Sequence, residues 1–251
     1  MTEELFREDA TLLRCEARVS FVDAAGIGLD RTVFYPQGGG QAGDAGALQL
    51  PDGRRLAIAD TRKGRAEDGH GGAIVHLPAA GQDELLAALR AGDTVQAEVD
   101  AERRRRHMRF HTATHLLCAL VPHPVDGCSI TASYARLDFH MTEPLDKAAL
   151  NAGLARLVAE AHPVRQRWIS DAELDAQPQL VRSMSVQPPR GSGRVRLLEI
   201  EGVDLQPCGG THVANTRDVG AVVVTKIEKK SATTRRVVLG FAEPAAQAHL
   251  S

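Results

Sequence analysis

The sequence predicts an α+β protein: a small N-terminal β-barrel-like domain (residues 1–98), then an α+β domain (residues 99–251). Three observations predict it. Apolar residues alternate with polar ones in short runs through the first hundred residues. At Asp100 the pattern changes to long helical segments. The charge also changes sign: residues 1–100 hold 10 Lys+Arg and 17 Asp+Glu, residues 101–251 hold 20 and 15. Such an asymmetry favours two domains, and directs any polyanion to the second.

The period-2 pattern is strictest over 13–21, where Leu13, Cys15, Ala17, Val19 and Phe21 alternate with polar residues. That spacing belongs to a half-buried strand. Further strands are expected at 32–35, 47–50, 56–59, 74–77 and 94–99, with turns at Gly26-Ile27-Gly28 and Pro51-Asp52-Gly53. A short helix is expected over 82–90 and a linker near 93–102. Asp100 is a natural N-cap for a helix from Ala101 to about Val121, which must end before Pro122. A second helix is expected over 145–161, with Leu150, Leu154, Leu157, Val158 and Ala161 on one face. Strands follow at 164–169 and 195–200. Ser170 and Glu173 have capping-box spacing. Residues 187–193, rich in Pro and Gly, read as a loop, and 221–227 with 235–241 as a hairpin.

Composition excludes several classes. With 43% apolar and 25% charged residues the chain is neither disordered nor fibrous. No apolar run approaches the ~20 residues that span a bilayer, so no membrane partner is expected. The opening Met1-Thr2-Glu3-Glu4-Leu5 is acidic, unlike an export signal, which leads us to expect a cytoplasmic protein. Its four dispersed cysteines then read as thiols or metal ligands rather than disulfides. At 4% aromatic residues, base stacking is not expected to dominate nucleic-acid binding.

The sharpest motif is His111-Thr112-Ala113-Thr114-His115. Helical residues four apart lie about 40° apart around the axis, so both imidazoles reach one ion. The apolar stripe of Ala113, Leu116, Leu117 and Leu120 centres roughly 170° away, so the histidines face another surface, read here as a cleft. No Glu follows His111, which removes the metalloprotease reading. Cys208-Gly209-Gly210-Thr211-His212 supplies a thiolate and an imidazole on a loop that two glycines let wrap closely. Together His111, His115, Cys208 and His212 make a tetrahedral zinc set. Cys118, three residues after His115, competes as a ligand but lies within an apolar helix segment. Gly38-Gly39-Gly40 lacks the Lys-Ser/Thr of a P-loop and the spacing of a dinucleotide site, so no nucleotide cofactor is expected. Arg103, Arg104, Arg105 and Arg106 span just over one helical turn and are candidate phosphate contacts; Lys226, Lys229, Lys230, Arg235 and Arg236 form a second basic cluster.

Arg109 to Leu117 taken with Cys208 to Val213 resembles the editing domain of alanyl-tRNA synthetase. The stretch Phe34-Tyr35-Pro36-Gln37-Gly38-Gly39-Gly40-Gln41-Ala42-Gly43-Asp44 resembles the glycine-rich stretch of the same family, and Arg136-Leu137-Asp138-Phe139 is a further, weaker match. Threonyl-tRNA synthetase editing domains share the metal motifs; the glycine run favours the alanyl branch. The chain has no room for aminoacylation domains, so it resembles the free-standing alanyl-tRNA editing proteins, the AlaX family, over nearly its whole length.

The resemblance implies hydrolysis of mischarged tRNA(Ala), chiefly its seryl ester, with Zn2+ as cofactor. It implies that Gly38, Gly39, Gly40 and Gln41 lie beside the pocket and that Thr131 reads the seryl hydroxyl. Where the family usually reads Gly-Ser, this chain has Gly127-Cys128. Four protein ligands would close a tetrahedral zinc, so either one lets go, His212 being the expected one, or zinc positions the substrate without generating the nucleophile. The alternatives are a tRNA-binding module with structural zinc and a zinc hydrolase of small esters.

Overall fold

A computed structural model describes residues 2–181 and 193–242. The chain runs β1 (Glu3–Glu4), β2 (Arg14–Asp23), β3 (Gly26–Leu29), β4 (Arg31–Thr32), β5 (Gly46–Gln49), β6 (Arg55–Lys63), β7 (Ile74–Pro78), α1 (Asp83–Ala88), β8 (Thr94–Val99) and α2 (Ala101–Leu120). It continues with β9 (Val125–Ile130), β10 (Ala135–His140), α3 (Lys147–Ala159), β11 (Val164–Ser170), α4 (Asp171–Asp175), β12 (Arg194–Ile200), β13 (Asp204–Pro207), β14 (Val222–Lys229) and β15 (Thr234–Phe241). The fold is α+β. The loop expected at 187–193 lies outside the described residues, apart from Gly193.

Six strands close a barrel in the order β2-β3-β7-β6-β5-β8. Val19, Ile27, Leu48, Leu56 and Val95 fill it. The alternation expected over 13–21 appears as β2, whose Ala17 and Val19 point inward between exposed neighbours. The Gly26-Ile27-Gly28 segment is a strand rather than a turn. Ile27 and Leu29 both enter the barrel core, and the reversal falls one step earlier, at Ala24–Ala25. Of the expected strand over 32–35, only Thr32 joins a strand, pairing with Glu4.

Asp100 caps α2, its carboxylate accepting from the Arg103 amide at 3.0 Å. One side of α2 packs Leu116 and Leu117 into a second core with Leu154 and Leu157 of α3, Leu137 and Phe139 of β10, and Leu239 of β15. That core is backed by the sheet β14-β15-β10-β9. A three-stranded sheet, β11-β12-β13, lies beside the metal motifs. Asp146 caps α3, and Ser170 with Glu173 forms the expected capping box at α4.

The connection from β4 to β5 leaves the barrel and docks on the edge of β9. Ile130 donates to the Gly40 carbonyl at 2.8 Å, and Ala42 donates to the Ile130 carbonyl at 2.9 Å. A buried ion pair reinforces this junction. The Arg104 guanidinium binds Asp44, and its Nη1 donates to the Ala10 carbonyl at 2.8 Å. Burial pushes the Asp44 carboxyl up, but His107 and Arg104 outweigh it and hold it below the usual range. His107 is wholly buried, its Nδ1 3.8 Å from Asp44, beyond hydrogen-bond range.

Candidate metal centre

The fold brings the two sequence motifs together. Ligand atoms of His111, His115, Cys208 and His212 all lie within 4.8 Å of one another. Cys208 Sγ is 3.4 Å from His111 Nε2 and 3.2 Å from His212 Nε2. Donors held ~2.0–2.3 Å from a tetrahedral zinc stand roughly 3.5 Å apart, so this spacing suits one ion. Cys118 is absent from the cluster; it is buried in the α2–α3 core.

Every imidazole is turned by a partner on its outer nitrogen. His111 Nδ1 lies 2.8 Å from Gln41 Oε1, His115 Nδ1 2.8 Å from Asp204 Oδ2, and His212 Nδ1 3.2 Å from Thr112 Oγ1. With Nδ1 engaged outward, Nε2 is the nitrogen that each ring turns inward, the one left for a metal. The partners are fixed in turn. Gln206 Nε2 donates to both Asp204 oxygens at 2.9 Å, and the Thr211 amide donates to Gln41 Oε1 at 3.1 Å. Asp204, Gln206 and Cys208 alternate along β13 and its extension, so a period-2 pattern aims all three at the site.

Two glycines are sterically required. A Cβ on Gly210 would sit 2.1 Å from His111 Cε1. Gly40 has φ +85°, and a Cβ there would lie 2.9 Å from Cys128 Sγ. The loop glycines thus let backbone approach the imidazoles and the thiol more closely than any side chain permits.

The charges are coupled. Burial opposes ionisation of Cys208, but His111 and His212 outweigh it and hold the thiol well below its ordinary value. Burial also opposes a charge on His115, yet Asp204 and Cys208 push its pKa up to about 10. A thiolate at Cys208 beside an imidazole at His115 that holds its proton is a donor set that can exchange that proton for a cation.

Several residues differ from expectation. The histidines do lie opposite the leucines, but they face no open cleft: His111 and His115 are only 5% and 7% exposed. Loop and β13 cover them, and the accessible side of the cluster is Cys208. Gln41, expected beside substrate, is fully buried and directs its amide to His111 and Thr211. Arg104, expected on RNA, is 1% exposed and binds Asp44, because the helix turns it into the barrel junction. Arg103 holds the Gly43 carbonyl, Arg106 pairs with Glu102, and Arg105 is exposed. In the second basic cluster Arg235 caps carbonyls and Arg236 pairs with Asp138, while Lys226, Lys229 and Lys230 are exposed. Thr131 adjoins the Gln41–Ile130 bridge; its hydroxyl accepts from the Ser133 and Tyr134 amides and donates to the Tyr134 carbonyl. Gly38 and Gly39 are accessible at the loop tip, held by the Tyr35 hydroxyl on the Gly38 carbonyl.

A barrel loop that locks a helix-borne histidine pair against a Cys-Gly-Gly-Thr-His loop, with four donors placed to hold a metal ion, defines a protein of the synthetase editing-domain class. The family signature described as the threonyl and alanyl tRNA synthetase second additional domain matches residues 195–238. The alanyl-tRNA editing protein AlaX-M of Methanosarcina barkeri is 33% identical over 245 residues, covering 94% of this chain and 98% of that protein. AlaX-M of Saccharolobus solfataricus is 30% identical over 241 residues, with 94% and 98% covered. Alanine–tRNA ligase of Metallosphaera sedula is 34% identical over 237 residues, 91% of this chain but 25% of the ligase. The chain belongs to the AlaX family of alanyl-tRNA editing proteins.

Proposed function

We propose that the chain is a trans-acting deacylase that hydrolyses Ser-tRNA(Ala) with zinc as its metal. The supporting observation is the convergence of three imidazoles and one thiolate, each imidazole turned inward by its own partner. A Cys-and-His donor set suits zinc better than magnesium or calcium, which prefer oxygen. Bound by His111, His115, Cys208 and His212, zinc supplies charge to polarise an ester carbonyl or lower the pKa of water.

The chain's own residues do the rest. Gln41, Asp204 and Thr112 hold each ring by Nδ1, so that Nε2 is the nitrogen turned toward the ion. The accessible side of Cys208 admits the ester between the Gly38–Gly39–Gly40 loop and Cys128. Burial, then Cys208, pushes the Cys128 thiol up to about 12, so it presents a neutral, weakly polar wall. Thr131 reads the seryl hydroxyl by exchanging one of its contacts to Ser133 or Tyr134 for it. Arg103, Arg105 and Arg106 face phosphate.

Four protein ligands favour a second reading, a tRNA-binding module with structural zinc. One experiment separates them: incubation with Ser-tRNA(Ala), Ala-tRNA(Ala) and a free seryl ester. Loss of the first alone supports editing. Loss of none supports the binding module, and loss of the free ester alone supports a small-ester hydrolase.

A further inference from the structure

The chain has a single tryptophan, and it is not in a core. Trp168 is 44% exposed on β11, at the edge of the three-stranded sheet. Its cross-strand partner on β12 is Arg196. Leu197 pairs with Pro207, and the Cys208 amide donates to the Arg196 carbonyl at 3.1 Å, so the next residue across is Cys208 itself. Trp168, Arg196 and the metal ligand Cys208 therefore form one row across the sheet. Neighbouring strands lie about 4.8 Å apart, which puts the Trp168 backbone roughly 10 Å from that of Cys208.

Alternation along the strands decides what else shares this face. Gln166 and Trp168 on β11, and Arg194 and Arg196 on β12, point the same way. Arg194 lies over the indole, its Cζ 4.5 Å from the ring. Arg196 is 5% exposed and donates to Gln166 Oε1 at 3.1 Å, to the Cys208 carbonyl at 3.0 Å and to the Gly210 carbonyl at 2.8 Å. Among the described residues no carboxylate pairs with it, and the charge that favours this buried cation comes chiefly from Cys208. Arg165 and Arg167 are on the opposite face, paired with Glu201 and Glu199. A cavity of about 140 Å³ bordered by Gln166, Arg196 and the metal ligand His212 adjoins the row.

We propose that this face is the platform for the single-stranded 3′ end of the tRNA, with a base stacked on Trp168 and Arg194 and Arg196 drawing in the phosphates. The inference rests on the editing reading above. An aminoacyl ester sits on the last nucleotide of the strand. When that ester reaches Cys208, the nucleotides before it must leave the site within about 10 Å, the span of this row. Single strands are held by aromatic faces together with positive charge, and the row provides both. A composition poor in aromatics hides this, because one well-placed indole is enough.

Tryptophan emission, excited at wavelengths too long for the two tyrosines, reports on Trp168 alone. We expect the trinucleotide CpCpA to quench it saturably, with affinity falling as salt rises, and inorganic phosphate to leave it unchanged. Trp168→Ala is expected to raise KM for Ser-tRNA(Ala) about tenfold with kcat and metal content unchanged. Trp168→Phe should restore most of the loss. Unquenched emission, or an unchanged KM in Trp168→Ala, with deacylation intact overturns the platform and leaves the editing reading. Quenching by CpCpA in a wild-type protein that deacylates nothing overturns the editing reading instead. A concentration-dependent dimer that shields Trp168 assigns the face to a second copy and overturns the proposal.

Discussion

Gln41 Oε1 lies 2.8 Å from His111 Nδ1, joining a barrel loop to the metal helix across 70 positions of sequence. The contact makes the first unit part of the metal site. A carbonyl oxygen there accepts from Nδ1–H and so reserves Nε2 for the ion. Gln41→Ala removes that acceptor and leaves the Thr211 amide without it. Second-layer substitutions of this kind cost about 10–100-fold in metal affinity or activity. We expect a loss of that size in competition with a chromophoric chelator, with the barrel still folded.

Removing a ligand should be more severe. His111→Ala or Cys208→Ala breaks the cluster, and each is expected to abolish both stoichiometric metal binding and release of serine from Ser-tRNA(Ala). Elemental analysis beside the deacylation assay checks it. Full activity in either variant would detach the metal from the reaction. Chelation of the wild type should reproduce the loss, and zinc should reverse it.

Arg104 and Asp44 set a different test, of stability rather than chemistry. Arg104 is 1% exposed and its partner 0%. Arg104→Ala leaves the buried Asp44 carboxylate without its counter-charge and the Ala10 and Val33 carbonyls without a donor, which costs about 3–5 kcal/mol. Arg105→Ala, at an exposed position, should fall within ~0.5 kcal/mol of wild type. Urea unfolding of the two variants decides this; equal stabilities would put Arg104 outside the junction.

Much of this architecture is legible in the chain because its signals are local. The alternation over 13–21, the Asp100 cap and the Ser170–Glu173 box each act over a few residues, and each appears in the structure. The four-residue cluster is legible because two short motifs carry all of its members. Gln41, Asp204 and Thr112 are not, since a partner's role exists only after distant segments meet. Arg104 misleads for the same reason: within a run of four arginines, only tertiary packing decides which one turns inward. The Gly26-Ile27-Gly28 strand is hidden by glycines, although Ile27 and Leu29 keep the period of two.

The barrel should also respond to acid through His76. This imidazole is fully buried, held between Thr32 Oγ1 at 2.8 Å and the Ile27 carbonyl at 3.0 Å. Burial lowers its pKa to about 4, against ~6.5 in an unfolded chain. Below pH 6.5 the unfolded state takes up a proton that the folded state refuses. The stability it contributes is therefore complete above pH ~6.5 and is lost as pH falls towards 4, by roughly 3 kcal/mol in all. His76→Gln cannot titrate, so its unfolding free energy should fall less steeply across that window. Denaturant titrations of both proteins at pH 7, 5.5 and 4.5 measure the difference in slope; parallel curves would mean that His76 is not the group responding.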